Sequence, residues 1–201
     1  MVSEKNETRG TSDEGRICPV AVVVGSDSDM DAMQTCIDTL SGFSIKAVVR
    51  IISAHRTPQI AAEFAESAAK KGIKVIIAAA GMAAHLAGAL AARTSLPVIG
   101  VPLISAGGLE GIDALLSTIQ MPPGVPVATM AIGKAGAKNA ALFAVQILAL
   151  TDKNLRDKLA ELKNAQQQKV VEKDSAPRSC LPPGRRGGTQ KAHTSKHKKD
   201  T

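Results

Sequence analysis

A histidine beside an arginine, in the run Ser53-Ala54-His55-Arg56-Thr57-Pro58, is the strongest chemical signal in this chain. Imidazole is the side chain whose unperturbed pKa lies near neutrality, so His55 can take and give a proton at physiological pH, and Arg56 offers a planar fork for phosphate or carboxylate. A second polar run, Gly25-Ser26-Asp27-Ser28-Asp29, supplies a tight turn, two hydroxyls and carboxylates able to cap a helix whose N-terminus favours an anion. It has neither the later glycines of a dinucleotide fingerprint nor the Lys-Ser/Thr pair of a Walker loop. The third run, Ala78 to Leu86, is built of small residues around Gly81, Ala83 and His85, and would let a planar ring lie against backbone. Each group also has an ordinary structural use: Ser28 or Asp29 as a helix cap, Arg56 in a surface ion pair, His85 packed on an alanine-rich helix.

The elements that must position these runs alternate strand and helix. Val20–Val24 leads into the first run, and Met30, Met33, Ile37 and Leu40 follow at helical spacing. Ile45–Ile52 reads as a second strand, ending at the His-Arg run, and Pro58 opens a helix carrying Ile60, Phe64 and Ala68. Val75–Ala79 is a third strand, followed by an alanine-rich helix to about Arg93; Pro97–Val101 is a fourth, Leu109–Ile119 a helix, Val127–Ile132 a fifth strand and Ala137–Leu150 a helix. This alternation predicts a parallel sheet with helices on both faces, and the fold expected is a three-layer α/β domain, flavodoxin-like, with five strands in the order 2-1-3-4-5. Ligands of such sheets bind beyond the carboxyl ends of the strands, so Ser26, Asp29, Ser53 and Arg56 are expected to converge on one phosphorylated ligand, with His55 over its reactive part. Loops at Ser105–Leu109 and Met121–Pro126 either close that pocket or only turn the chain.

A further helix is expected from Asp152 to about Gln168, with Leu155, Leu159 and Leu162 on one side and Lys153, Arg156, Lys158 and Lys163 on the other. Its apolar stripe needs a surface, either its own domain or a neighbouring subunit. Residues 1–16 and a basic tail over 169–201 read as disordered, which leaves residues 17–168 as the domain.

Composition narrows the function class. The 201 residues include no Trp or Tyr and only three Phe, so the core must be Ala, Val, Ile and Leu. The tail holds nine Lys/Arg against three Asp/Glu, which is +6 of the net +7, and the domain itself is nearly neutral. With so few aromatics to stack on bases and no recognisable nucleic-acid module, a nucleic-acid function for the domain is poorly supported. Cys18, Cys36 and Cys180 are odd in number and scattered, giving no disulfide framework or zinc site and fitting a reducing, cytoplasmic setting. His193 and His197 lie in the tail, so no metal site is expected; no stretch is apolar enough to span a membrane, and the first seventeen residues have no signal-peptide core.

Taken together, Gly25-Ser26-Asp27-Ser28-Asp29, Ser53-Ala54-His55-Arg56-Thr57-Pro58, Ala80-Gly81-Met82-Ala83-Ala84-His85-Leu86, Pro97-Val98-Ile99-Gly100-Val101-Pro102 and Gln120-Met121-Pro122-Pro123-Gly124-Val125-Pro126-Val127 resemble the PurE family of purine biosynthesis. The resemblance runs from about Ile17 to Gln168 and is closest to the class I branch, N5-carboxyaminoimidazole ribonucleotide mutases; a second branch carboxylates aminoimidazole ribonucleotide directly with CO2. It implies that Ser26, Asp29 and Arg56 hold the ribose phosphate, that Ser53 assists and that His55 carries the proton. Ser28, Ala54, Gly81, Ala83, His85 and Leu86 are the remaining substrate-binding positions it implies, with no cofactor or metal, a phosphoribosyl aminoimidazole as partner and a homo-octamer as assembly. Where the family commonly has His-Leu-Pro-Gly, this chain has His85-Leu86-Ala87-Gly88, and the basic tail lies outside the resemblance. A non-catalytic nucleotide-phosphate sensor would need the same phosphate cradle but no proton carrier beside the ring.

Overall fold

A computed structural model describes residues 18–175. Five parallel strands form one sheet in the order β2-β1-β3-β4-β5, which is the expected order. They are β1 (Val20–Val24), β2 (Ala47–Ile51), β3 (Val75–Gly81), β4 (Val98–Leu103) and β5 (Ala128–Thr129). The helices are α1 (Met30–Gly42), α2 (Pro58–Ala68), α3 (Leu86–Ala91), α4 (Ile112–Ile119), α5 (Gly133–Ala149) and α6 (Lys153–Ser175).

Central strands of a parallel sheet are covered on both faces and therefore read as unbroken apolar runs. In β1 every residue is buried, Val20, Val22 and Val24 facing one cluster and Ala21 and Val23 the other. The first cluster is closed by α1 through Met33, Cys36 and Leu40, and by α5 through Ala137, Ala140, Ala141, Ala144, Val145 and Leu148. Alanine on the inner face of α5 lets that helix approach closely, which is how a core with three phenylalanines fills its volume. The second is closed by Ala61, Phe64, Ala65 and Ala68 of α2 and Leu86, Ala87 and Leu90 of α3. Burial pushes the Cys36 thiol up to about 12, so it is a packed apolar group.

Element ends depart from the expected ones for local reasons. The fifth strand is two residues long, its pairing confined to Ile99 with Ala128 and Gly100 with Thr129. Helix α4 starts at Ile112 because Gly107, Glu110 and Gly111 take positive φ, and α3 ends at Ala91. Helix α6 runs to Ser175, seven residues past the expected end at Gln168. The Gln, Lys and Glu residues there favour helix, and no Gly or Pro interrupts them. Residues 169–175 are thus helical instead of opening a disordered tail. The N-terminal extension 1–16 and the rest of the basic tail lie outside the described residues.

The chain forms two compact units, divided between Glu161 and Leu162. In the first, Leu155 and Leu159 of α6 pack against the α1/α5 cluster, so part of the expected stripe is covered by its own domain. No helix among the described residues is long and apolar enough to cross a membrane.

Candidate active site

Strand register places the chemistry-bearing loops on one rim. Val24 is level with Ile51 on one side and Ala79 on the other, and Gly81 is level with Leu103. The segments leaving β1, β2, β3 and β4 therefore emerge together, at the carboxyl edge where open α/β sheets bind ligands. They enclose a cleft of about 590 Å³. Ser26, Ser28, Asp29, Ser53, Ala54, His55, Arg56, Gly81, Ala83, His85 and Leu86 all line it, so every residue expected at the site is brought together. Of the two Gly/Pro loops, Ser105 and Ala106 contribute to the wall; Met121–Pro126 does not.

The first loop is a short 3-10 turn, Asp27–Asp29, leading directly into α1. Its capping is reciprocal and differs from the expected one. The Ser26 N–H donates to Asp29 Oδ2 at 3.1 Å, and the Asp29 N–H returns to the Ser26 carbonyl at 3.2 Å. Asp29 thus spends its carboxylate on the loop backbone. Burial raises its pKa, with the neighbouring Asp27 charge acting the same way and the Ser26 N–H opposing. Asp27, which sequence reasoning left without a role, organises the hydroxyls: its Oδ1 accepts from Ser26 Oγ and from the Ser28 N–H, both at 3.0 Å, and Ser28 Oγ donates to Ser26 Oγ at 3.1 Å. The bond from Ser26, then that from Ser28, holds the Asp27 carboxyl below its usual range.

The second loop folds on itself around Ser53 and Thr57. The Ser53 N–H donates to Thr57 Oγ1 at 3.0 Å while the Thr57 hydroxyl donates to the Ser53 carbonyl at 2.9 Å, and Pro58 then opens α2 at its first position. Ser53 Oγ accepts the Arg56 backbone N–H at 3.2 Å and the guanidinium Nε at 3.4 Å. Arg56 also reaches the Gly25 carbonyl with Nη2 at 3.4 Å, tying the second loop to the first. Among the described residues it is the sole Lys or Arg lining the cleft.

The third loop is where backbone shape matters most. Met82 and Ala84 both take positive φ, 53° and 39°, which non-glycine residues adopt at a cost. The loop is held by the Ala84 N–H on the Gly81 carbonyl at 3.1 Å and by the Ser117 hydroxyl on the Ala83 carbonyl. That twist carries His85 to His55. Their rings meet edge to face, centroids 4.8 Å apart, with His55 Nε2 2.7 Å from His85 Nδ1. One nitrogen must donate and the other accept, so the pair shares one proton between two imidazoles. Ala87, where the family commonly has proline, is buried in α3, which forms without it.

No group of three or more metal-ligating side chains occurs among the described residues. The arrangement brings hydroxyls, one guanidinium, a wall of small residues and a pair of hydrogen-bonded imidazoles into one cleft.

Comparison with known proteins agrees with this geometry. The model of the AIR carboxylase family matches residues 19–169. The chain is 51% identical over 153 residues to the N5-carboxyaminoimidazole ribonucleotide mutase of Bacillus subtilis, spanning 76% of this chain and 94% of that one. It is 52% identical over 153 residues to the enzyme of the same name from Escherichia coli K12, spanning 76% and 90%. Among solved structures, Treponema denticola PurE matches with a TM-score of 0.70 at 31% identity, over 78% of this chain and 96% of that one. The chain belongs to the PurE family, the AIR carboxylases, and groups there with the N5-carboxyaminoimidazole ribonucleotide mutases.

Proposed function

We propose that this protein converts N5-carboxyaminoimidazole ribonucleotide to 4-carboxy-5-aminoimidazole ribonucleotide, a step of purine biosynthesis carried out in the cytoplasm, with His55 as proton carrier. The observation that carries the reading is the placement of His55, paired to His85, in the same cleft as Arg56 and the Ser26/Ser28 hydroxyls. The substrate's ribose phosphate lies against Arg56, Ser26 and Ser28, and its imidazole against the small residues Gly81 to Ala84. Protonated His55 delivers its proton to the exocyclic nitrogen as the nitrogen–carboxylate bond breaks and CO2 departs. C4 of the ring then attacks CO2, forming the new carbon–carbon bond. His55 removes the C4 proton, restoring the aromatic ring and its own starting state. The small-residue wall keeps CO2 beside C4 and water out. A histidine pair sharing one hydrogen bond suits a group that must take up and release a single proton in each turnover.

The same reading includes self-association as an octamer. Ile112, Leu116 and Ile119, spaced along α4, and Leu109 in the loop before it are between 48% and 70% exposed, and Ile104 beside the cleft is 58% exposed. Such a stripe favours contact with another copy of the chain. Leu116→Glu with Ile119→Glu should reduce the mass measured by light scattering to that of a smaller assembly; an unchanged mass would remove α4 from the interface.

The activity is tested by supplying N5-carboxyaminoimidazole ribonucleotide without bicarbonate, and separately aminoimidazole ribonucleotide with bicarbonate, while following the C4-carboxylated product. Product from the first mixture is expected. Product from the second alone would identify a direct carboxylase, and binding without product in either would identify a sensor.

A further inference from the structure

At the amino ends of the strands, away from the catalytic cleft, lies a second hollow of about 740 Å³. Its lining includes Lys46, Lys74, Lys153 and Lys158, with Asp152 as the acidic residue among them. Register explains why two of these lysines come together: Ala47 and Val75 both pair with Val20, so Lys46 and Lys74 flank Pro19 in one row across β1. Two strand spacings separate their backbones, about 9 to 10 Å, within the span that two long side chains can close on one ligand.

The charges are unequally satisfied. Lys153 is paired with Asp157 at 2.7 Å. The Asp152 carboxylate accepts the Asn154 and Leu155 N–H groups at 2.8 and 3.2 Å, so it is spent on the start of α6. Lys158 Nζ donates to Ser44 Oγ at 3.2 Å, a bond that holds its ammonium in the hollow without neutralising it. The side-chain ammonium groups of Lys46 and Lys74 have no hydrogen bond or ion pair with any described residue. Three ammonium groups with no ion pair to any described residue thus share one hollow with the single carboxylate of Asp152, and Phe43, half-buried beside Ile45 and Leu148, gives it an apolar floor. Ammonium groups around an apolar, partly aromatic floor match a ligand that joins phosphates to a ring.

We infer that this hollow binds a nucleoside diphosphate, its phosphates between Lys46, Lys74 and Lys158 and its base on Phe43. The site is independent of the catalytic cleft, so both can be filled at once. The test is calorimetric titration of ADP into the full chain carrying Arg56→Gln, which disables the phosphate anchor of the catalytic cleft, and into the same chain carrying Lys46→Gln and Lys74→Gln as well. Saturable binding at one site per chain is expected in the first protein, weakened about tenfold or more in the second. Absent saturable binding, or equal affinity in the two proteins, would overturn the inference. Adenosine is expected to bind too weakly to detect, and pyrophosphate more weakly than ADP; pyrophosphate binding as tightly as ADP would overturn the part assigned to the base. Lys46→Gln with Lys74→Gln in the otherwise native chain should leave turnover unchanged, which separates a failure of this site from a failure of the proposed catalytic reading.

Discussion

His55 Nε2 and His85 Nδ1 lie 2.7 Å apart although thirty residues separate them in the chain. At that distance one ring nitrogen donates a hydrogen and the other accepts it, so the two imidazoles are tied by a single hydrogen bond. Replacing His55 by asparagine keeps a polar side chain in the cleft and removes the carrier. Turnover should fall by roughly 100-fold to 10,000-fold while substrate affinity changes only a few-fold. His85→Asn should give a smaller loss, confined to kcat, because it alters the partner of the carrier. Equal substrate turnover by His55→Asn and the native chain would end the proposed mechanism.

Arg56 has a separable task. Among the described residues no other guanidinium or ammonium group lines the cleft, so in the proposed reading Arg56 is the group that balances the substrate's phosphate, against a loop that already carries Asp27 and Asp29. A phosphate distant from the reacting carbon is bound equally in ground and transition states, so losing its anchor raises KM and spares kcat. Arg56→Gln should raise KM about tenfold or more with kcat nearly unchanged. A large fall in kcat at saturating substrate would mean that Arg56 also positions the ring.

These residues were legible for different reasons. Val20–Val24 and Ser53–Pro58 announce themselves locally, one as an apolar strand and the other as a polar loop ended by a helix-starting proline, and strand alternation then fixes their shared rim. The contact between His55 and His85 was not legible. It depends on β1 standing between β2 and β3 and on Met82 and Ala84 taking positive φ, which residues of those types do not signal. Asp27 escaped notice because its role is to hold two hydroxyls by short-range bonds that a list of residue types does not specify. The end of α6 was missed because charge and low hydropathy look alike in a solvated helix and an unstructured tail.

Gly81 tests how tightly the ring wall is built. A Cβ there would sit 1.8 Å from Ser105 Oγ and 3.2 Å from the Leu103 carbonyl. Gly81→Ala should therefore destabilise the fold by about 1 to 3 kcal/mol, as overpacking does, and depress turnover by displacing the wall. Adding Ser105→Ala removes the closest atom, so the double variant should recover most of the lost stability in urea unfolding. Failure to recover would place the conflict with the Cβ of residue 105, which alanine keeps at 3.0 Å, or with the Leu103 carbonyl.

Asp29 makes a prediction about acid. Its carboxyl is buried and its folded pKa lies above the ordinary 3.8, so the folded chain holds this proton more tightly than the unfolded chain does. The sign follows from linkage: the stabilising contribution is fully present below the unfolded value and is lost as pH rises through the folded one. At neutral pH the ionised, buried carboxylate is a liability offset in part by the Ser26 N–H at 3.1 Å. Asp29→Asn cannot ionise, yet its amide oxygen can accept the same N–H. Urea unfolding of both proteins between about pH 7 and about pH 4 should show the native chain gaining stability relative to Asp29→Asn as the solution is acidified. A difference between the two that stays constant over that range would show that the carboxyl titrates alike in the folded and unfolded chains, and that its burial carries no electrostatic consequence.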